Sequence, residues 1–180
     1  MQDYPVNWIT RELAVGYAPH SHSDLDGIRL QGISAIVNLC AECYDLADSE
    51  KKAGFDVYYV PVADEEAPAI EELEKAVAWV EDNLQSGRKV LVHCRFGIGR
   101  TGTLVAAYLM SKGHSLKTAI RKMKHTCSIP MSRSQWDLLE RYGDKLGASR
   151  TGAPELQEDI EPPSDTFFKK WEAMLDFFKP

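Results

Sequence analysis

A mixed α/β fold, with a central and mostly parallel sheet flanked by helices, is predicted by three features of the 180-residue chain. The segments Ile33 to Cys40 and Lys89 to His93 are apolar and rich in β-branched residues, which is the pattern of strands covered on both faces. Segments with apolar residues at helical spacing alternate with the strands, and such alternation builds parallel sheets through crossover connections. Capping residues, glycines and prolines fall where those connections have to turn.

Taken in order, Trp8 to Val15 alternates as a strand or hairpin, and Ser23 is expected to cap a short helix through about Gln31 that stops at Gly32. His20 and His22 precede that cap and read as turn residues rather than metal ligands. Beyond the strand Ile33 to Cys40 come a helix over about Tyr44 to Ala53, a strand Asp56 to Val60 and an acidic loop from Ala63 to Pro68. Pro68 starts a helix in which Leu73, Val77, Val80 and Leu84 recur on one side, ending near Gly87. After the strand Lys89 to His93, an amphipathic helix is expected from Gly99 to Lys112. Another follows from Leu116 to Lys124 behind the cap Ser115, and a third from Ser132 to Leu146. The stretch Gly147 to Pro163 is rich in Gly, Pro and Glu and reads as a linker. Ser164 then opens a closing helix whose Phe167, Trp171, Met174, Leu175 and Phe178 form one stripe, suited to docking on the parent domain or on a partner. The expected organisation is a domain over 1–147, a linker over 148–163 and a C-terminal amphipathic helix over 164–180.

Composition narrows the function classes. With 44% hydrophobic and 27% charged residues the chain sits near globular averages, which sets aside fibrous and largely disordered classes. A net charge of -6 opposes nonspecific attraction to nucleic acid or anionic membrane, so no nucleic-acid partner is expected. No run approaches the roughly 18 apolar residues of a membrane span, and the start MQDYPVNWIT has neither the basic nor the apolar region of a leader. A cytoplasmic location is the resulting expectation, with the oligomeric state left open. In that setting the four cysteines Cys40, Cys43, Cys94 and Cys127 are expected as thiols rather than as a disulfide framework. Cys40 and Cys43 form a lone C-x-x-C, which lacks the second pair a zinc site needs, so neither metal nor cofactor is expected.

The chemistry concentrates in Val90 to Leu104, VLVHCRFGIGRTGTL, which carries two phosphate-binding patterns at once. Gly97-Ile98-Gly99-Arg100-Thr101-Gly102 has the spacing of a dinucleotide turn. That turn, however, needs its first glycine directly after the strand and an acidic residue about 20 positions on. Here His93 to Phe96 intervene, and Lys117 to Lys122 is basic, so the nucleotide reading fails. Read from Cys94, the stretch is a cysteine, five residues and an arginine. A thiolate at a strand end, followed by a loop entering a helix N-terminus, faces several backbone N–H groups and the positive end of a helix dipole. Those groups favour the thiolate and a bound phosphate alike, which makes Cys94 a nucleophile. Arg95, Phe96, Gly97, Ile98 and Gly99 supply the loop amides, with Gly97 and Gly99 allowing the backbone to curl. Arg100 supplies a planar fork matched to two phosphate oxygens, a geometry that lysine lacks. Thr101 or Thr103 can place a hydroxyl against the sulfur as it leaves, and Thr101 is favoured by its place beside Arg100.

His93 to Gly102 resembles the H-C-x-x-G-x-x-R-[ST]-G signature of the cysteine-based protein tyrosine phosphatase superfamily, and the chain's length resembles its small dual-specificity branch. The resemblance covers about Tyr4 to Gly147. It implies a phosphomonoester hydrolase that works through a cysteinyl-phosphate, on phosphotyrosine, phosphoserine or phosphothreonine in proteins, with phosphoinositides or inositol phosphates as the alternative substrates. The family places an aspartate acid about 30 residues before the cysteine, and Asp64 stands 30 before Cys94, although Asp64, Glu65 and Glu66 also suit a solvated helix start. Gln135 stands where many relatives hold a glutamine that positions water, and His93 is expected to hydrogen-bond the loop rather than act as a base. Asn38-Leu39-Cys40-Ala41-Glu42 is similar to the matching strand end of the phosphatase and tensin homologue, a lipid phosphatase of the superfamily. The apolar Phe96 and Ile98 make the loop less basic than lipid-selective relatives carry. Lys117, Arg121, Lys122, Lys124 and His125 form a basic run, read as a solvated helix face ahead of a site element. Because Cys40 ends a strand expected beside the one ending at Cys94, oxidant is expected to join the two. Two rival functions remain, a rhodanese-like sulfurtransferase, whose loop is usually shorter, and a catalytically idle phosphate-binding adaptor, which usually loses the cysteine, arginine or acid retained here.

Overall fold

In the computed structural model, which describes residues 4–149, the apolar run expected as a buried strand is β3 (Ile33–Cys40), buried at every position but Ser34. On one side it pairs in parallel with β5 (Lys89–Cys94) and on the other with β4 (Asp56–Val62). Next to β5 lies β2 (Leu13–Tyr17), also parallel, and the two-residue β1 (Asn7–Trp8) closes the edge antiparallel, giving the order β1-β2-β5-β3-β4. The expected N-terminal hairpin is therefore β1 and β2. The register pairs Tyr17 with Cys94, Asn38 with His93 and Cys40 with Val62, so the carboxyl ends of β2, β5, β3 and β4 share one edge of the sheet. Open α/β sheets place their binding crevices at such an edge.

Helices cover both faces. On one lies α1 (His22–Leu30), whose Leu25 and Ile28 join Ala14, Ile36 and Leu91 in the smaller core cluster. The other face carries α3 (Ile70–Gln85), α4 (Gly99–Ser111), α5 (Leu116–Met123) and α6 (Arg133–Ser149), which close over Leu13, Val15, Val37, Val90 and Val92. A shorter α2 (Leu46–Lys52) links β3 to β4. The expected linker over 148–163 and helix over 164–180 lie outside the described residues, save for the start of the linker, where Ser149 closes α6.

Several expectations are corrected at the ends of elements. The cap of α1 is Ser21 rather than Ser23, because Ser21 Oγ accepts from Asp24 N while the Asp24 carboxylate accepts from Ser21 N, a reciprocal box that fixes the first turn two residues earlier. Pro68 lies ahead of α3, whose cap is Ala69, and α2 starts at Leu46 rather than near Tyr44, which is exposed. The larger correction concerns α4, expected to be amphipathic. Every residue from Arg100 to Met110 is buried, because β5, α3, α5 and α6 pack around the helix and leave no solvated side. Small residues permit that enclosure. A Cβ on Gly102 would stand 2.5 Å from the carbonyl carbon of Ile129 and 2.6 Å from its Cα, closer than atoms can approach.

Gly102→Ala is accordingly expected to destabilise the fold by about 1–3 kcal/mol, the usual cost of overpacking. Thermal or urea unfolding measures it, and unchanged stability would mean that α4 can withdraw from the Ile129 segment. That segment also holds Ser128, whose hydroxyl donates to the Gly97 carbonyl, so the displacement reaches the loop after β5.

Candidate active site

Cys94 is the last residue of β5 and is 3% exposed. The loop after it turns through Gly97, whose φ of +72° lies in the left-handed region and whose missing Cβ would stand 2.4 Å from the Gly16 carbonyl oxygen. No L-residue with a side chain fits there. The loop then enters α4 with Ile98 as N-cap and no side-chain cap, so the first-turn amides, which have no intrahelical acceptor, stay available to a ligand. Arg95 and Phe96 form the exposed rim, the guanidinium 5.2 Å from the ring centroid.

Arg100 is buried beneath this loop, and both of its Nη groups are engaged. Nη1 donates to Glu42 Oε2 at 2.7 Å and to the Val62 carbonyl at 2.7 Å, and Nη2 donates to Glu42 Oε1 at 2.7 Å and to Asp64 Oδ1 at 2.9 Å. Burial by itself would pull the Arg100 pKa down, but the Glu42 hydrogen bond and the negative charges of Cys94, Asp64 and Glu42 outweigh it and hold the group above its ordinary value. In return, the Arg100 hydrogen bond draws Glu42 below the usual carboxylate range, against a smaller opposing effect of burial. The contact brings Asp64 to Arg100, in the first turn of α4.

The loop that carries Asp64 is held from α6. Glu65 adopts a φ of 64°, a conformation that costs a non-glycine residue on the order of 1 kcal/mol or more. It is held there by Ser134 Oγ, which donates to the Glu65 carbonyl at 3.1 Å, and by Gln135 Nε2, which donates to the Glu66 carbonyl at 3.1 Å. Gln135 is buried, and its Oε1 accepts from Met131 N at 2.8 Å. It also lies beside the cysteine loop, since a Cβ on Gly99 would stand 3.0 Å from Oε1.

The two threonines differ. Thr103 Oγ1 donates to the Gly99 carbonyl within α4, whereas the buried Thr101 Oγ1 has no hydrogen-bond partner among the described residues. His93 departs from expectation. Its Nε2 lies 2.7 Å from Glu50 Oε1, and Nδ1 has no partner among the described residues, so it is tied to α2 rather than to the loop. Glu50 is fully buried and also accepts from Asn38 Nδ2 at 3.0 Å, completing a polar chain under β3 and β5.

Cys40 is corrected as well. It is disulfide-bonded to Cys43, with Cα atoms 5.4 Å apart, so its sulfur is not free for Cys94, and the expectation of four thiols fails with it. The physical reason is proximity, because a cysteine three residues away in a turn competes better than one on the next strand. Cys94 and Cys127 remain free thiols. The basic run stays a solvated face, with Arg121, Lys122 and Lys124 exposed and His125 Nε2 3.1 Å from the Trp8 carbonyl, at the opposite end of the sheet from Cys94. Among the described residues no group of three or more His, Cys, Asp or Glu is placed to hold a metal ion. Glu50 has no place in the sequence argument, and Glu42 enters it only within the Asn38 to Glu42 resemblance, without a role of its own. Glu42 could have been found as the acidic residue just past the end of a buried strand next to Cys94, whereas Glu50 offers only its spacing of three from the buried Ala47.

Residues 16–114, from β2 through α4, match the family model described as "Polymorphic toxin system, DSP-PTPase phosphatase". Over 99 residues, 54% of this chain, the sequence is 34% identical to dual specificity protein phosphatase 2 of Mus musculus, of which the match covers 30%. It is 40% identical over 98 residues to tyrosine-protein phosphatase cdc-14 of Caenorhabditis elegans, covering 54% of this chain and 13% of that protein. The chain thus spans less than a third of the length of these curated relatives. Among solved structures, Tk-PTP in its active form superposes with a TM-score of 0.71 at 30% identity, covering 78% of this chain and 97% of that one.

Proposed function

The chain belongs to the small dual-specificity branch of the cysteine-based protein tyrosine phosphatases, and from that premise we propose that it hydrolyses phosphotyrosine and phosphoserine or phosphothreonine in proteins through a cysteinyl-phosphate on Cys94. The observation that carries this reading is the contact of Arg100 Nη2 with Asp64 Oδ1 at 2.9 Å, because it brings an acid to the one arginine held under the cysteine loop. A guanidinium has five N–H donors, and four are occupied by Glu42, Val62 and Asp64. An arriving phosphate takes the remaining Nε–H and the Nη2 hydrogen that Asp64 holds. Substrate binding therefore releases Asp64 from Arg100 while leaving it above the phosphorus.

In the first step Cys94 Sγ attacks phosphorus in line with the leaving oxygen. The S–P bond forms as the P–O bond breaks, and protonated Asp64 gives its proton to that oxygen. Arg100 and the amides of Arg95 to Gly99 stabilise the charge on the equatorial oxygens. In the second step water attacks the cysteinyl-phosphate and gives a proton back to Asp64, while the sulfur leaves as thiolate with the Thr101 hydroxyl turned toward it. Gln135 serves by holding the acid loop and by lining the approach of that water.

Phosphate release without added metal from a phosphotyrosyl peptide, a phosphothreonyl peptide and a phosphoinositide tests the assignment. Peptide turnover is the expected result. Turnover confined to the phosphoinositide would move the substrate class to lipids, and none on any of the three would leave a phosphate-binding adaptor. Asp64→Asn is expected to lower kcat on the peptides by about 10²–10⁴-fold, the range for a lost general acid. With an aryl phosphate whose leaving group needs no proton the loss is expected to shrink, and an equal loss on both substrates would remove Asp64 from the acid role.

A further inference from the structure

Glu42 is the carboxylate that orients Arg100, and it sits inside the ring that the Cys40–Cys43 disulfide closes. The ring is anchored at both ends. Cys40 N donates to Asn38 Oδ1 at 2.9 Å and its carbonyl accepts from Tyr59 Oη at 3.3 Å, while the Cys43 carbonyl accepts from Leu46 N at 3.1 Å. Between these anchors Ala41 and Glu42 are only partly buried, and α2 beyond them buries just Ala47 and Glu50. Little apolar packing therefore fixes the turn, which is held by the covalent bond, by these hydrogen bonds and by the Glu42 pair with Arg100. The other anionic partner of Arg100, Asp64, is half exposed and has to leave when phosphate arrives, which makes Glu42 the lasting one.

We propose that the Cys40–Cys43 bond positions Arg100 through Glu42, so that opening the ring weakens phosphate binding at Cys94 without any oxidation of Cys94 itself. The proposal rests on the phosphate-binding half of the hydrolase reading. Cys43 is partly exposed and within reach of a small dithiol. One thiolate of the dithiol attacks a ring sulfur, the S–S bond breaks and the other cysteine leaves as thiolate. The second thiol of the reagent then displaces the first cysteine, closing the reagent's own disulfide. Two electrons and two protons pass from the dithiol to Cys40 and Cys43, and a low-molecular-weight disulfide reverses the exchange. With the ring open, Glu42 recovers the backbone freedom it had lost, and the guanidinium loses the end-on fork that holds its plane.

The test uses the full chain and inorganic phosphate, followed by calorimetry, with free thiols counted by alkylation and mass measurement. Native protein with the ring closed is expected to bind phosphate about tenfold more tightly than after dithiol treatment, a loss comparable to ordering one residue. Alkylation is expected to show two more thiols after treatment and Cys94 free in both states. Cys43→Ser and Glu42→Gln are each expected to bind as weakly as the opened native protein and to ignore the dithiol. Equal phosphate affinity in the two native states overturns the proposal, as does a Glu42→Gln chain that still responds, or phosphate that binds neither state. The native comparison needs no variant to fold. Because binding is read without turnover, a chain that binds phosphate in this way yet hydrolyses nothing would retire the hydrolase and leave the clasp standing.

Discussion

Cys94→Ser is expected to abolish turnover, lowering kcat by on the order of 10⁴-fold or more, as the loss of a covalent nucleophile does in other enzymes. The side chain stands at the end of a strand bonded on both sides, with β2 pairing at Tyr17 and β3 at Asn38 beside it, so replacing sulfur by oxygen alters the reacting atom and not its address. An alcohol is far less acidic than a thiol and stays protonated where the thiol ionises. The loop amides and the Arg100 fork do not use the sulfur, so inorganic phosphate should still bind and still raise the melting temperature. Acid quenching during turnover of a radiolabelled peptide should trap phosphate on the native chain and none on the variant. Residual activity within tenfold of native would mean that another group attacks phosphorus, and the covalent mechanism would fall.

The sequence carried more of the fold than of the site's support. Residues 33–40 form the strand that their apolar pattern predicts, since a segment covered on both faces has no solvated side to obscure its periodicity. The same physics misled at α4, where helical spacing suggested an amphipathic helix and the structure encloses it completely, because enclosure depends on which helices arrive from elsewhere in the chain. The relative places of Cys94, Arg100 and Thr101 were legible because one turn of loop and one turn of helix fix them against each other. Asp64 was legible only through family spacing, and its meeting with Arg100 is the work of β4 lying next but one to β5. Glu42, Glu50 and the Cys40–Cys43 bond were not legible for a common reason. Each depends on the path of the chain just after β3, which sets Cys40 against Cys43 and Glu50 under His93, and no periodicity specifies that path.

Arg100→Lys tests the centre of this arrangement, and its expected result is a loss of about 10²–10⁴-fold in kcat/KM, from two charge-assisted hydrogen bonds at roughly 1.5–3 kcal/mol each. Positive charge alone is retained, so the loss measures geometry. Arg100 places one edge of its guanidinium on Glu42, both contacts at 2.7 Å, and the adjoining edge, proposed above for phosphate, on Asp64. An ammonium is a single point with three hydrogens and cannot address two such planes at once. On a shorter reach it would pair with Glu42 or with phosphate, and in the first case the substrate meets the Asp64 carboxylate with no cation to balance it. The split between parameters distinguishes the two. Pairing with Glu42 raises KM and the inhibition constant of inorganic phosphate together, whereas pairing with phosphate leaves KM near native and lowers kcat, since the equatorial oxygens lose their fork only as charge builds in the transition state. A decrease smaller than tenfold in kcat/KM would show that charge suffices at this position, and the role given to Glu42 as the group that orients Arg100 would fall with it.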